Sequence, residues 1–236
     1  MPINFGFIRD CLNQKIMIVE ITGVSGVGKS FLLSSSYFKN ALSCDHKILS
    51  RSQHNSIRGF SMDFLFFFAF FLLNRQDLIL LRHTFGVLFL GKHPLKSFIN
   101  ILRNIYLRLV KFRFYSLSRS NFIFDEGTFH ILVSIFSNCN RDFIDEHIPK
   151  IFDLIPIPDR ILILTDEYLL CQQRFKLKNY KNPHWRFNDR NFNYEILYTS
   201  NLYVLNYINA NCPNAYTINL SDPSHLNKLN SILCFK

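Results

Sequence analysis

A glycine-rich octapeptide places the tightest constraint on how this chain folds. Residues Gly23–Ser30 read GVSGVGKS and satisfy the pattern G-x-x-x-x-G-K-[ST] at every required position. The β-branched run Ile16–Thr22 before it predicts a buried strand, and the residues from Phe31 to about Lys39 predict a helix after it. Strand, glycine loop and helix, in this order, are the context in which the pattern binds phosphate.

Each residue type in this loop has a chemical reason. Glycines let the backbone turn tightly, so that several amide groups point at one phosphate, and the helix that begins near Lys29 adds its positive N-terminal end. Lys29 is expected to reach the β- and γ-phosphates, and the Ser30 hydroxyl is expected to hold Mg²⁺. The predicted phosphate-binding residues are Gly23, Ser25, Gly26, Val27, Gly28, Lys29 and Ser30.

A second apolar strand, Asn121–Phe124, ends in two acids. In phosphate-loop proteins the acid at the end of such a strand holds Mg²⁺ directly or through water, and Asp125 is predicted to do so here. Glu126 has two interpretations. It could polarise a nucleophile as a general base beside the metal, or act as a second metal contact. It could instead be an acid favoured by the dipole of a helix predicted from Thr128.

A basic helix is predicted after a third buried strand, Arg160–Thr165. The helix, Leu169–Lys181, carries Arg174 and Lys178 among its cations. Such a segment is either a mobile lid that brings cations to a transferring phosphoryl group or a solvated helix face.

A polar segment follows the short strand predicted at 46–50. The carboxyl end of a strand faces the ligand crevice in an open α/β sheet. Arg51, Gln53, His54 and Arg58 are therefore candidates for holding a second substrate, with a solvated loop as the alternative.

The region between the loop and the acidic strand is mostly apolar. Phe60–Leu73 and Leu78–Leu90 are too short to span a bilayer and predict two buried helices, with a re-entrant or peripheral membrane contact as the alternative. Ser97–Arg119 has a helical period and predicts a core helix with a solvated basic face, or a helix that lies on anionic lipid. Its basic residues include Arg103, Arg108, Lys111 and Arg113.

Length and charge limit the classes of function. A chain of 236 residues fits one α/β domain with a full core, and a net charge of +10 suits phosphorylated ligands, nucleic acid or an anionic surface. Nucleic-acid binding ranks last because no recognisable module is present. Six cysteines without C-x-x-C spacing, and a start without a basic and then apolar run, predict reduced thiols, no signal peptide and a cytoplasmic protein.

In the order of its parts, from about residue 16 to the end, the chain resembles the phosphate-loop kinases of the thymidylate kinase and nucleoside kinase type. The shared motifs are Gly23–Ser30 and, less sharply, Phe122–Gly127. The resemblance implies one α/β domain in which a five-stranded parallel sheet is flanked by helices, with a helical insert at about 60–119 and a lid at about 166–190. It also implies ATP as donor, a dimeric assembly, and Arg174 and Lys178 as lid cations that neutralise charge in the transition state.

The departures from that family leave the acceptor open. Asp125-Glu126-Gly127 stands where thymidylate kinases have an Asp-Arg pair, and the segment 172–178 is poorer in Arg and Gly than their lids. A GTPase would carry N-K-x-D, but Asn227–Asn230 lacks the Asp, and the L-S-G-G-Q sequence of a transport ATPase is missing.

The sequence therefore predicts a Mg²⁺-dependent kinase that transfers the γ-phosphoryl group of ATP to a nucleotide, a nucleoside or another small acceptor. The alternative is a nucleotide-gated ATP-binding protein that engages a membrane surface or a protein partner through its basic and Phe-rich helices.

Overall fold

The computed structural model describes residues 17–36, 38, 46–49, 69–91, 95–118, 120–137, 139–181 and 193–233. Within these residues, the strands of the sheet are β1 (Ile18–Gly23), β2 (His46–Leu49), β3 (Asn121–Asp125), β4 (Arg160–Thr165) and β5 (Ala215–Asn219). The α-helices are α1 (Lys29–Ser34), α2 (Arg75–Leu90), α3 (Leu95–Ser116), α4 (His130–Phe136), α5 (Arg141–Phe152), α6 (Tyr168–Lys181), α7 (Tyr194–Asn211) and α8 (His225–Leu233).

The strands form one parallel sheet with β1 at its centre, in the order β2-β3-β1-β4-β5. Ile21 of β1 is in register with Asp125 of β3 on one side and with Leu162 of β4 on the other. Because parallel strands end at the same edge of a sheet, the segments that follow β1, β3 and β4 meet there.

The central strands are buried on both faces, as parallel strands covered by helices must be, and apart from Glu20 and Thr22 of β1 their buried residues are apolar or glycine. All residues of β1 and the four inner residues of β4, Ile161–Leu164, are buried. Helices pack against this sheet, and the largest hydrophobic core contains residues of β1, β3, β4 and β5. A smaller core is formed by Ile18, Phe112, Phe122 and Phe124. The predicted α/β fold, a five-stranded parallel sheet flanked by helices, is confirmed.

Most predicted elements lie where the periodicity placed them, and β4 has the predicted bounds. Two helices differ at their ends. The helix after the loop is predicted to reach about Lys39, but α1 ends at Ser34, where Ser35 is extended with φ −64° and ψ 141°. The backbone is helical again at Ser36 and Phe38, so the predicted helix is interrupted at Ser35. From the sequence, Pro223 is expected to open a short last helix, because proline favours the first position of a helix, yet α8 begins two residues later, at His225.

The apolar region is less buried than predicted. Most of Phe60–Leu73 lies outside the described residues, which include a 3₁₀ turn at Ala69–Leu72. The prediction that Leu78–Leu90 is a buried helix is only half right: Leu80 of α2 is fully buried, but Phe85 and Phe89 are 52% and 73% exposed. No helix in the described ranges is both long enough and apolar enough to cross a membrane.

Two of the arginines that were predicted to lie on a solvated face of α3 form internal ion pairs instead. Arg113 does not lie on a solvated face, because its Nε and Nη2 donate to Oδ2 and Oδ1 of the buried Asp77 at 2.8 and 2.9 Å. Asp77 also completes the capping box of α2 with Asn74. This bidentate ion pair joins the start of α2 to the end of α3. Arg108 turns inward as well, towards Glu126.

Candidate active site

The glycine loop has the backbone of a phosphate cradle. Gly26 and Gly28 have φ angles of 87° and 103°, which L-residues with a side chain rarely adopt. A Cβ at Gly26 would also lie 2.2 Å from the carbonyl oxygen of Cys171 in α6. The loop can therefore turn, and α6 can approach it, only because position 26 carries no side chain.

The two polar side chains of the motif lie at the start of α1. Lys29 donates from Nζ to the carbonyl oxygen of Gly23 at 3.1 Å, so its ammonium group lies over the beginning of the loop. Ser30 is exposed in the first turn of α1. The ammonium group that would bind phosphate and the hydroxyl that would bind Mg²⁺ therefore lie directly after the turn of the loop.

Asp125, the predicted metal ligand, ends β3 at the edge where the loop begins. It pairs in register with Ile21, two residues before Gly23. Carboxylate and hydroxyl oxygens are the hard donors that Mg²⁺ prefers, so Asp125 and Ser30 have the right chemistry for this ion. The donor set and the glycine cradle therefore fit a Mg²⁺–nucleoside triphosphate.

Glu126 is held in a strained and polar position directly after Asp125. Its backbone has φ 64°, and its amide donates to the carbonyl of Ile21 at 3.2 Å. Its Oε2 accepts from Nη2 of Arg108 at 3.3 Å and lies 3.8 Å from Nε2 of His130. A non-glycine residue in this conformation costs roughly 1–3 kcal/mol, so the surrounding contacts must hold it there. Glu126 thus carries an ion pair that sequence reasoning did not predict.

Arg108 and His130 connect the Glu126 carboxylate to other residues at this edge of the sheet. Arg108 also donates to Oγ of Ser134 at 3.2 Å, and the Nδ1 of His130 lies 3.4 Å from Oγ1 of Thr22. Thr22 directly precedes the glycine loop. The cluster therefore reaches from α3 across the end of β3 to the residue that precedes the cradle.

Glu20, and not Glu126, is the acid at the N-terminus of the helix that follows β3. It is fully buried in β1, and its carboxylate accepts from the amides of Phe129 and His130, both at 2.9 Å, at the beginning of α4. Burial raises the pKa of Glu20, against the lowering effect of these hydrogen bonds and of the Arg108 charge. A Cβ at Gly127 would lie 2.7 Å from the Glu20 carboxylate, so a residue without a side chain is needed there.

The basic helix α6 lies against the glycine loop. Nη1 of Arg174 donates to the carbonyl oxygen of Val27 at 3.0 Å and to the carboxylate of Asp166. Ser221, just after β5, donates to the other oxygen of the same carboxylate. Burial alone would raise the pKa of Asp166, but the hydrogen bonds from Ser221, Arg174 and the Glu167 amide together hold it below the usual value.

Tyr194 and Tyr198 of α7 attach to the same assembly. Tyr194 donates its hydroxyl to the carbonyl oxygen of Ser25 at 2.6 Å, and Tyr198 donates to the carbonyl of Asp166 at 3.0 Å. The Tyr194 ring packs 4.8 Å from that of Phe175. Burial raises the pKa of Tyr194, so its phenol stays protonated and remains a donor.

The structure therefore brings together Asp125, Glu126, Arg174 and the whole loop at one edge of the sheet. Lys178 lies one turn beyond Arg174 in α6. The candidates Arg51, Gln53, His54 and Arg58 lie outside the described residues, as does the lid beyond position 181.

Sequence reasoning missed several polar residues of this edge: Glu20, Arg108, His130, Tyr194 and Ser221. For Glu20 a signal existed, because it is the one charged residue in an otherwise uncharged strand segment. The others come from distant segments and carry no local pattern.

Comparisons with known proteins find similarity at low sequence identity only. Neither a protein-family model nor a curated protein sequence matches the chain. Among solved structures, it is similar to deoxyadenosine kinase from M. mycoides with bound dCTP, with 14% identity, a TM-score of 0.48, and coverage of 91% of this chain and 100% of that one. It is also similar to thymidylate kinase from Ehrlichia chaffeensis, with 16% identity, a TM-score of 0.38, and coverage of 91% and 94%.

A phosphate loop after the central strand of a parallel sheet places the chain among the phosphate-loop α/β proteins by fold. The two neighbours are nucleoside and nucleotide kinases, but at these identities and TM-scores they do not assign an activity or an acceptor to this chain.

Proposed function

We propose that the protein is a kinase that transfers the γ-phosphoryl group of Mg·ATP to a small acceptor, a nucleoside, a nucleotide or another hydroxyl- or phosphate-bearing molecule. The observation that carries the proposal is the convergence of a complete glycine cradle, with Gly26 at φ 87°, and the acidic end of β3 at one edge of the sheet. We expect the reaction to take place in the cytoplasm.

In this proposal, the loop amides and Lys29 bind the β- and γ-phosphates, while Ser30 and Asp125 hold Mg²⁺. The ion screens the charge of the phosphates when it is bound. Lys29 donates to the Gly23 carbonyl at 3.1 Å, so its ammonium group already lies at the start of the loop that would bind the phosphates. Catalysis of this kind depends mostly on positioning and electrostatics.

Glu126 is proposed to face the acceptor. Its carboxylate is 18% exposed and is oriented by Arg108, so it can accept the proton of an acceptor hydroxyl as a general base. Arg108 is a positioning residue in this scheme. Arg174 is proposed to exchange its contact with Asp166 for the transferring phosphoryl group, and Lys178 to assist it.

The test is ADP release with a panel of nucleosides, nucleoside monophosphates and sugars, with product identified by mass. We expect one class of acceptor to stimulate ADP release, and Lys29→Ala to reduce the rate by a factor of about a hundred or more. Lys150→Ala, which removes an exposed lysine of α5, is the matched control and should leave the rate unchanged.

Equal ADP release by the wild type and by Lys29→Ala with every acceptor would refute the kinase. ATP hydrolysis that depends on Lys29 but yields no phosphorylated acceptor would favour the nucleotide-gated ATP-binding protein instead.

A further inference from the structure

One continuous part of the chain contains basic residues and no acidic ones. Between Leu78 and Phe124 there are eight Lys or Arg residues and no Asp or Glu. This part includes nearly all of α2 and the whole of α3. Two of the arginines, Arg108 and Arg113, are used in internal ion pairs. The exposed face of the helix pair can therefore carry positive charge only.

That face also exposes large apolar side chains. Leu78, Phe85 and Phe89 follow one stripe of α2 and are 41%, 52% and 73% exposed, and Ile99 of α3 is 55% exposed. Between the helices lies an open groove of about 470 Å³. Its lining is Leu81, Arg82, Phe85, Leu102, Arg103 and Tyr106, with both arginines exposed. Aromatic and aliphatic side chains thus alternate with guanidinium groups on one surface, which we call the α2–α3 face.

We propose that the α2–α3 face binds the surface of an anionic lipid bilayer, with α2 lying in the plane of the interface. Exposed Phe and Leu side chains bury in the boundary between head groups and acyl chains, while neighbouring arginines pair with lipid phosphates and carboxylates. Both contributions are needed, because a basic surface alone binds weakly at physiological salt and an apolar stripe alone gives no preference for anionic lipid.

A second copy of this chain fits the same face poorly. A two-fold interface places a patch against itself, so Arg82 and Arg103 of both copies would meet in a groove whose lining, among the described residues, has no carboxylate. Like charges that are desolvated together oppose association at an interface. An anionic bilayer supplies the opposite charge that the face itself lacks.

The test is co-sedimentation of the full chain with vesicles of phosphatidylcholine alone and of phosphatidylcholine mixed with phosphatidylserine. We expect binding to the mixed vesicles only, and weaker binding as salt rises from about 0.05 to about 0.5 M. The proposal does not require kinase activity, so it can fail or hold independently of the proposed function.

Paired variants separate the two contributions. Arg82→Gln with Arg103→Gln should weaken binding by a factor of about 25, since each basic residue near an anionic surface contributes about fivefold. Phe85→Ser with Phe89→Ser should weaken it about tenfold or more. All four side chains are exposed, so the variants should keep the thermal midpoint of the wild type.

Matched controls remove the same groups elsewhere. Lys150→Gln with Lys228→Gln removes two exposed cations from α5 and α8, and Ile157→Ser with Ile196→Ser removes two exposed apolar side chains. Both controls should bind within about twofold of the wild type. No binding to anionic vesicles, or an equal loss in controls and face variants, would overturn the proposal. So would a dimer in solution that Phe85→Ser with Phe89→Ser dissociates, because the face would then be a self-association surface.

Discussion

At Gly26 the backbone of the phosphate loop packs directly against the backbone of α6. Its φ of 87° is needed for the turn, and a Cβ there would lie 2.2 Å from the Cys171 carbonyl. Backbone and packing thus require the same glycine for two independent reasons. A side chain would have to push α6, and with it Arg174, away from the loop.

We therefore predict that Gly26→Ala lowers the free energy of unfolding by at least about 2 kcal/mol. The reason is that alanine would have to adopt a left-handed backbone conformation and its Cβ would overlap with the Cys171 carbonyl. Denaturant unfolding measures this. Gly86→Ala is the control: Gly86 lies inside α2 and a Cβ there meets nothing within 4 Å. It should raise the free energy of unfolding by about 0.5–1 kcal/mol. A Gly26→Ala protein as stable as the wild type would contradict the close contact.

Glu20 shows how one residue can decide the geometry of another element. Its buried carboxylate accepts the first amide groups of α4, and Gly127 leaves the space for it. Since α4 starts on this acceptor, His130 is fixed close enough to contact both Thr22 and Glu126. The candidate base is therefore oriented partly from inside the central strand.

At the scale of elements, α7 holds the glycine loop from outside the sheet. Tyr194 begins this helix, and its hydroxyl bonds the Ser25 carbonyl while its ring packs against Phe175 of α6. The loop backbone thus lies between two helices that come from late in the chain. Its shape before any ligand binds depends on those helices as well as on its own glycines.

We predict that Tyr194→Phe weakens Mg·ATP binding about three- to tenfold, because one hydrogen bond that preorganises the loop is lost. Calorimetric titration measures the affinity. Tyr203→Phe is the matched control, because it removes a hydroxyl from the same helix that bonds Asp145 instead. If both variants bind Mg·ATP equally, α7 does not shape the loop.

At the scale of the whole molecule, the sheet unites segments from both ends of the described chain. β1 pairs with β3 and β4, and β4 pairs with β5, so the strands share one core. Such a sheet cannot lose one strand pair without exposing the buried faces of its neighbours. The chain is therefore expected to unfold as a single domain.

We predict one cooperative thermal transition, with the same midpoint by far-ultraviolet and near-ultraviolet circular dichroism. Mg·ATP at about one hundred times its dissociation constant should raise that midpoint by about 5–10 °C for a chain of this size. Two separate transitions would show that the helical insert or the lid is an independent unit. An unchanged midpoint would argue against nucleotide binding.

The elements and the loop were predictable because their signals are local. Strands β1, β3 and β4 are short apolar runs, and the loop is a contiguous pattern with glycines at required positions. The buried sides of α2 and α3 were harder to predict, because a helix rich in both Phe and Arg can turn either face inward. Arg108 and Arg113 point inwards because the partly exposed carboxylate of Glu126 and the buried carboxylate of Asp77 pair with them there.

By itself, the sequence determined that this chain forms a phosphate loop between a strand and a helix. It also determined that a later strand ends in the acids Asp125 and Glu126. These features depend on neighbouring residues and on a period of two or 3.6. Only the tertiary structure decided which groups meet at that edge. Glu20 and the Phe129 amide lie 109 positions apart, and Tyr194 and Ser25 lie 169 apart. Contacts over such separations follow from strand order and helix packing, which no local pattern in the chain encodes.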